Sequence, residues 1–321
     1  MIRRLLAALA VLIFALTGPA AAQSPPPAPL EPIRVEVREP GLVANLHLPI
    51  GAQAPSPAIL VLGGSEGGIA SADGLARRLA REGYVAMAVA YFNHEGLPPA
   101  LTDIPLETFD RALDRLLARP DVDPSRIGIM GASKGAEAAL LVASRRPEIR
   151  AVVAGTPTNV AWQGIDFSDW TKVRASWSVG GKPVAFVPYA TDKPFAGLRD
   201  LYDRSLPAEG KEGEALIRVE RINGDVLLIS GGEDGLWGAT PMSERIERRL
   251  KAHRFRHRVE HLSYPGAGHA ILGPPPASVE KAAPLAQLGG TAQANLDARA
   301  DAWPRTLAFL AAALKEKKRG H

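Results

Sequence analysis

The chain has no cysteine. That excludes disulfides as a source of stability, a thiol nucleophile and any thiolate metal site. It also lacks an apolar run of membrane-spanning length. The segment Leu5–Leu16 is shorter than the ~20 residues such a helix needs, and Gly18-Pro19 follows it. Neither sign of charge dominates: 38 Lys and Arg face 34 Asp and Glu, for a net +4. Much of the excess sits in Lys315-Glu316-Lys317-Lys318-Arg319, which reads as a solvated helix end rather than a nucleic-acid patch. There is no internal repeat and no His/Asp/Glu cluster with metal spacing. These absences leave a chain with no expected nucleic-acid partner, metal or cofactor. At 321 residues it is long enough for one large α/β domain with a well-buried core.

The first 22 residues read as an export signal. Met1-Ile2-Arg3-Arg4 is a positive start, Leu5–Leu16 an apolar centre, and Ala20-Ala21-Ala22 a small-residue cleavage site before Gln23. An uncleaved N-terminal anchor is the alternative. Cleavage would remove two arginines and no acid, lowering the charge from +4 to +2. The mature protein is then expected outside the cytoplasm, in a periplasm or secreted, with no membrane span of its own. Residues 23–32 form a proline-rich linker, and residues 33–321 the folded domain.

The chain is organised around Arg126–Leu141, an apolar strand, a tight turn and a helix. The turn spells Gly131-Ala132-Ser133-Lys134-Gly135. A strand that reverses sharply into a helix strains the central residue and lifts its side chain clear of the sheet. The glycines let strand and helix approach, and the free N–H groups of the helix start point at whatever Ser133 attacks. The alternative is an ordinary Gly/Ser turn.

A serine hydroxyl needs a base, and the base needs a carboxylate to fix its tautomer. Both are found just past later apolar strands: Asp234 after Asp225–Ser230, and His269 after Val259–Tyr264. The order Ser133, Asp234, His269 is that of α/β hydrolases. Glu233 competes with Asp234. His261 lies inside a strand, and His253 and His257 lie in a basic helix end.

The apolar run Ala58–Leu62 ends in Gly63-Gly64-Ser65-Glu66-Gly67-Gly68. It carries no Walker Lys-Ser/Thr and no dinucleotide fingerprint. The reading is half of an oxyanion hole, with N–H donors from Ser65 and Lys134 and with Gly64 as the alternative to Ser65; a glycine loop serving only tight packing is the other reading. The Lys134 ammonium either meets a substrate phosphate, pairs with a nearby acid or points to solvent.

Strands and helices alternate through most of the chain, predicting a mostly parallel sheet covered on both faces, an α/β-hydrolase fold. Ile33–Val37 and Leu42–Leu48 open it as a hairpin. Helices are expected near Phe195–Arg204, over Met242–His253 and over Ala292–Lys315. Residues 157–221 interrupt the rhythm and read as a lid insertion. Its Trp162, Trp170 and Trp177 either line an acyl pocket or pack the lid down.

Several stretches resemble the C-terminal catalytic domain of the acyl-CoA thioesterase/bile acid-CoA:amino acid N-acyltransferase family. They are Ala90–Pro98, Ile104–Phe109, Gly131–Glu137, Gly232–Trp237, Tyr264–His269 and Gly289–Asn295 leading to Asp301–Trp303. The likeness covers roughly residues 56–314, and the Ser-Lys-Gly-x-Glu form of the turn is its most specific part. It implies Ser133 as nucleophile, Asp234 as acid and His269 as base. Serine at the nucleophile is similar to the thioesterases rather than the amino-acid-transferring branch, so the resemblance implies hydrolysis of an acyl thioester. Two features part from the family: only residues 33–50 precede the core, and coenzyme A thioesters are cytoplasmic. An exported carboxylesterase or dienelactone-type lactone hydrolase is the alternative. A binding module that kept the fold without catalysis is the reading from another class.

Overall fold

The structure is a computed structural model that describes residues 31–51, 55–169 and 172–316. The expected signal segment, the linker before Glu31 and Trp170 lie outside the described residues. The chain opens with the hairpin β1 (Ile33–Glu39) and β2 (Leu42–Leu48), followed by β3 (Ser56–Leu62), α1 (Ala70–Arg81) and β4 (Val85–Ala90). A two-residue strand β5 (Ile104–Pro105), α2 (Glu107–Leu117), β6 (Val122–Ala132), α3 (Lys134–Ala143) and β7 (Ile149–Gly155) come next. The insertion holds β8 (Trp177–Val179), β9 (Lys182–Pro183) and α4 (Leu198–Ser205). The chain then returns to β10 (Asp225–Gly231), α5 (Ala239–Ala252), β11 (Val259–Tyr264), α6 (Val279–Ala282) and α7 (Ala292–Leu314).

Eight strands form one sheet in the order β1-β2-β4-β3-β6-β7-β10-β11. The pairings β1–β2 and β2–β4 are antiparallel, and all the others are parallel. The central strands read as unbroken apolar runs because both faces are covered. Leu60, Met87, Ile129, Val152 and Leu228 belong to one core with α2, α3 and α5. Their neighbours in sequence, Ile59, Val61, Met130, Val153 and Leu227, belong to a second core with α1 and α7.

Strand order fixes where a site can form. From β3 the chain steps to β4 on one side, then crosses over α2 to β6 on the other. The switch point of the sheet therefore lies between β3 and β6, where α/β sheets open a crevice at their carboxyl ends. Ser65 follows β3 and Ser133 follows β6.

Two expectations are corrected. β1 was expected to be half-buried from its alternation, but only Val37 is buried, and Ile33 and Val35 face outward. As an edge strand it has a neighbour on one side only. The insertion is also more ordered than its irregular composition suggests. β8 pairs in parallel with β5 and antiparallel with β9, stitching the insertion to the loop after β4. Trp162 and Trp177 are fully buried, so both pack the insertion down. The expected helices appear with ends moved by at most three residues.

Candidate active site

Ser133 sits between β6 and α3 with φ 55° and ψ −124°, a conformation a side-chain-bearing residue adopts only when its surroundings hold it there. The flanking glycines supply that hold. A Cβ on Gly131 would lie 2.2 Å from the Gly135 carbonyl oxygen, and one on Gly135 would lie 2.2 Å from the Gly63 carbonyl oxygen. The second glycine thus lets the start of α3 touch the loop after β3. Gly64 is pressed against the turn from the same side, since a Cβ there would meet Ser133 Cβ at 3.2 Å. The Ser133 N–H donates to the Gly155 carbonyl at the end of β7 (2.9 Å). The serine itself is 7% exposed.

Asp234 and His269 are brought together. His269 Nδ1 donates to Asp234 Oδ2 at 2.8 Å. The other carboxylate oxygen accepts the N–H groups of Leu236 (2.8 Å) and Trp237 (3.2 Å). With Nδ1–H spent on the acid, a neutral ring presents a lone pair at Nε2. Nε2 is buried and has no hydrogen-bond partner among the described residues, so the bond between it and the Ser133 hydroxyl is not made in this state. Such bonds often close only around substrate. Trp237 ties the two halves of the site. Its indole N–H donates to the Thr156 carbonyl, one residue from the Ser133 anchor (3.1 Å), and its ring stands edge-on to His269 at 5.2 Å.

Glu233, the competing acid, is exposed, whereas Asp234 is 1% exposed. His261 has a constellation of its own. Its Nε2 meets Ser230 Oγ at 2.7 Å and its Nδ1 meets Glu247 at 2.8 Å. The spacing imitates a serine–histidine–acid set, but Ser230 is fully buried in the regular strand β10. It has neither a strained turn nor an adjacent helix start, so it is a structural network.

The Lys134 side chain does not face the site. Its ammonium is buried and pairs with Glu137 at 2.7 Å. Glu137 also accepts the Trp162 N–H (3.0 Å) and the Trp177 indole N–H (2.6 Å). Burial pushes the lysine down and the carboxyl up from their ordinary ranges, against their mutual attraction. The Lys-Gly-x-Glu part of the motif therefore anchors the insertion to α3. Of the three readings of this lysine, the structure shows the pairing with an acid.

Ser65 lines a small cavity of about 60 Å³ with Ile165, Phe167, Tyr189, Leu198, Leu201, Tyr202 and Leu236. Seven of these eight side chains are apolar or aromatic, and none is charged. Gly64 N–H is already engaged by Glu66 Oε1 at 3.0 Å.

Some positioning residues were not legible in the sequence. Arg199 of α4 donates to the Asp234 carbonyl at 2.8 Å. Asn295 is fully buried and accepts the Gly268 N–H (2.7 Å) while donating to the Gly289 carbonyl (3.1 Å). Leu288 accepts from both Gly235 and His269 N–H groups (3.0 Å each). The strip 288–295 thus fastens the loop of the acid to the loop of the histidine. The Gly-Gly-Thr-Ala-Gln-Ala-Asn stretch was a signal, but its partners are remote in sequence.

A mostly parallel sheet, a strained serine turn after a central strand and a His–Asp pair after the last two strands define an α/β hydrolase. Solved structures agree on the fold. A puromycin-hydrolyzing peptidase of Mycobacterium tuberculosis aligns with a TM-score of 0.59 at 18% identity, over 93% of this chain and 42% of that one. A dienelactone hydrolase-like promiscuous phosphotriesterase from metagenomic libraries aligns at 0.55 and 16%, over 88% and 99%. Residues 104–316 match the family model "BAAT / Acyl-CoA thioester hydrolase C terminal". The chain belongs to that family. It is 32% identical to the mouse peroxisomal succinyl-coenzyme A thioesterase over 86% of its length and 64% of the relative's. It is 31% identical to the human mitochondrial acyl-coenzyme A thioesterase 2, over 89% and 57%. The chain therefore spans somewhat less than two thirds of these relatives.

Proposed function

We propose that this protein is an exported serine hydrolase that cleaves acyl thioesters through an acyl-enzyme. The observation that carries the reading is the His269–Asp234 bond of 2.8 Å with Nε2 left unpartnered, together with a serine held at positive φ. Ser133 Oγ attacks the acyl carbon while His269 Nε2 takes its proton. Asp234 stabilises the imidazolium. The Ser65 and Lys134 N–H groups hold the oxyanion, each such donor being worth roughly 3–4 kcal/mol. Ser65 is favoured over Gly64 because the Gly64 N–H already serves Glu66. Protonated by His269, the thiolate leaves, and water then hydrolyses the acyl-enzyme by the same route. The apolar cavity beside Ser65 takes the acyl group, and residues 157–221 act as the lid, clamped to the acid loop through Arg199.

The engaged Lys134 ammonium keeps a second reading in place, an oxygen ester or lactone, because it is not available to a coenzyme phosphate. Fluorophosphonate labelling of protein recovered from the exported fraction tests the core of the proposal. A single adduct on Ser133, on a chain whose intact mass starts at Gln23, is expected. An adduct elsewhere, or none, would overturn the nucleophile; an uncleaved mass would overturn the export.

A further inference from the structure

Tyr91, the residue after β4, is a buried side chain that the mechanism above does not use. Its hydroxyl meets the loop after the neighbouring β3, 2.6 Å from the Gly63 carbonyl oxygen and 3.0 Å from the Gly64 carbonyl oxygen. Those two carbonyls belong to consecutive peptide units in the loop after β3. A peptide unit is planar and trans, so its C=O and N–H point in opposite directions. The Gly63–Gly64 unit is held at both ends: its carbonyl at Tyr91, its N–H at the Glu66 carboxylate (3.0 Å). The single Tyr91 O–H proton is shared with the Gly64 carbonyl in a bifurcated bond, so the Gly64–Ser65 unit is held by the longer branch, which aims the Ser65 N–H the opposite way.

We infer that the Tyr91 hydroxyl is a positioning residue that sets the orientation of the Ser65 N–H as oxyanion donor. The inference rests on the reading of Ser65 as that donor. Three further observations bear on it. The ring is packed against Phe92, Phe109 and Trp177, with centroids 5.3, 5.4 and 5.7 Å away, so the hydroxyl has little freedom to turn. Gly135 packs directly on the Gly63 carbonyl, so the loop is gripped between the start of α3 and the tyrosine. Burial, with Glu66 and Glu137 nearby, holds the phenol far above its ordinary range, so it remains a donor. A hydrogen bond accepted by an amide carbonyl also polarises the N–H of the same unit, which favours a developing oxyanion.

The test is steady-state hydrolysis of p-nitrophenyl butyrate by Tyr91→Phe, with affinity for a butyryl trifluoromethyl ketone measured in parallel. The ketone adds to the serine and mimics the tetrahedral intermediate. A fall in kcat of about 10- to 100-fold is expected, less than the roughly 100- to 1,000-fold for outright loss of one oxyanion donor, because the Ser65 N–H is misaimed and not removed. KM should change by less than about twofold, and the ketone should weaken by the same factor as kcat/KM. Phe309→Leu serves as the stability control: Phe309 is buried in the second core, away from the Tyr91 ring cluster, so the change should lower Tm while leaving kcat within about twofold. Replacing Tyr91 with 4-aminophenylalanine restores a donor and should restore most of kcat; this variant also serves if Tyr91→Phe does not fold. Unchanged kcat and ketone affinity in folded Tyr91→Phe, or loss of kcat in folded 4-aminophenylalanine protein, would overturn the inference. Activity surviving in Ser133→Ala would instead overturn the underlying mechanism. Because the probe is an oxygen ester, the result does not depend on the thioester assignment.

Discussion

Lys134 follows Ser133 directly, yet its backbone and side chain have separate tasks. The N–H belongs to the open end of α3, while the ammonium is locked under the insertion by Glu137. A buried ion pair adds little stability over an apolar pair, but breaking it strands a charge. Glu137→Gln keeps an oxygen for the Trp162 and Trp177 N–H groups and puts an amide NH2 where Oε2 accepted from the Lys134 ammonium, so both the charge and that bond are lost. It should destabilise the fold by roughly 3–5 kcal/mol in denaturant unfolding, and adding Lys134→Met should recover much of the loss. A shift under 1 kcal/mol would show that the pair is not the anchor described. At this scale the sequence was informative where chemistry is local. Ser133, Asp234 and His269 each follow a strand and each carry a distinct turn. Tyr91, Arg199 and Asn295 each have a partner 27 or more residues away, and no periodicity reports such distances.

Among the elements, the central strands were legible because burial on both faces makes them unbroken apolar runs. The exposed β1 was misjudged, since alternation gives which faces differ and not which lies against the core. β5, β8 and β9 escaped notice because they are two or three residues long and pair only with one another. The β1–β2 hairpin is held to α1 by polar bonds. His47 Nε2 (2.8 Å) and Asn45 Nδ2 (2.7 Å) both donate to Asp73. Burial pushes the Asp73 carboxyl up, but these bonds and the charges of His47 and Arg34 outweigh it and leave it below its ordinary range. A carboxyl lowered by folding stabilises fully above its unfolded pKa, near 3.9, and that contribution is lost as pH falls through the folded value. Stability should therefore drop as pH falls below about 4, and Asp73→Asn should flatten that part of the profile. An unaltered acid limb in the variant would show that this contact does not contribute.

For the molecule as a whole, strand order does the assembling. The switch point between β3 and β6 opens the crevice, β3 and β6 deliver the candidate oxyanion donors and nucleophile to its walls, and β10 and β11 bring the acid and base alongside. The strip 288–295 and the insertion then fasten those loops from two sides. The hydrolase frame was readable because α/β alternation and chain order survive sequence divergence. The leaving group is decided by surfaces at the cleft mouth, which carry no motif. Membership of the BAAT / acyl-CoA thioester hydrolase family argues for coenzyme A, while the proposed export signal and the uncharged lining of the cavity beside Ser65 argue for simpler esters. The decisive measurement is kcat/KM of residues 23–321 on butyryl-CoA against p-nitrophenyl butyrate, with Ser133→Ala as the blank. The account predicts faster turnover of the thioester, abolished in Ser133→Ala. Turnover of the ester with no gain from coenzyme A would contradict the thioester assignment, and activity remaining in Ser133→Ala would contradict the site.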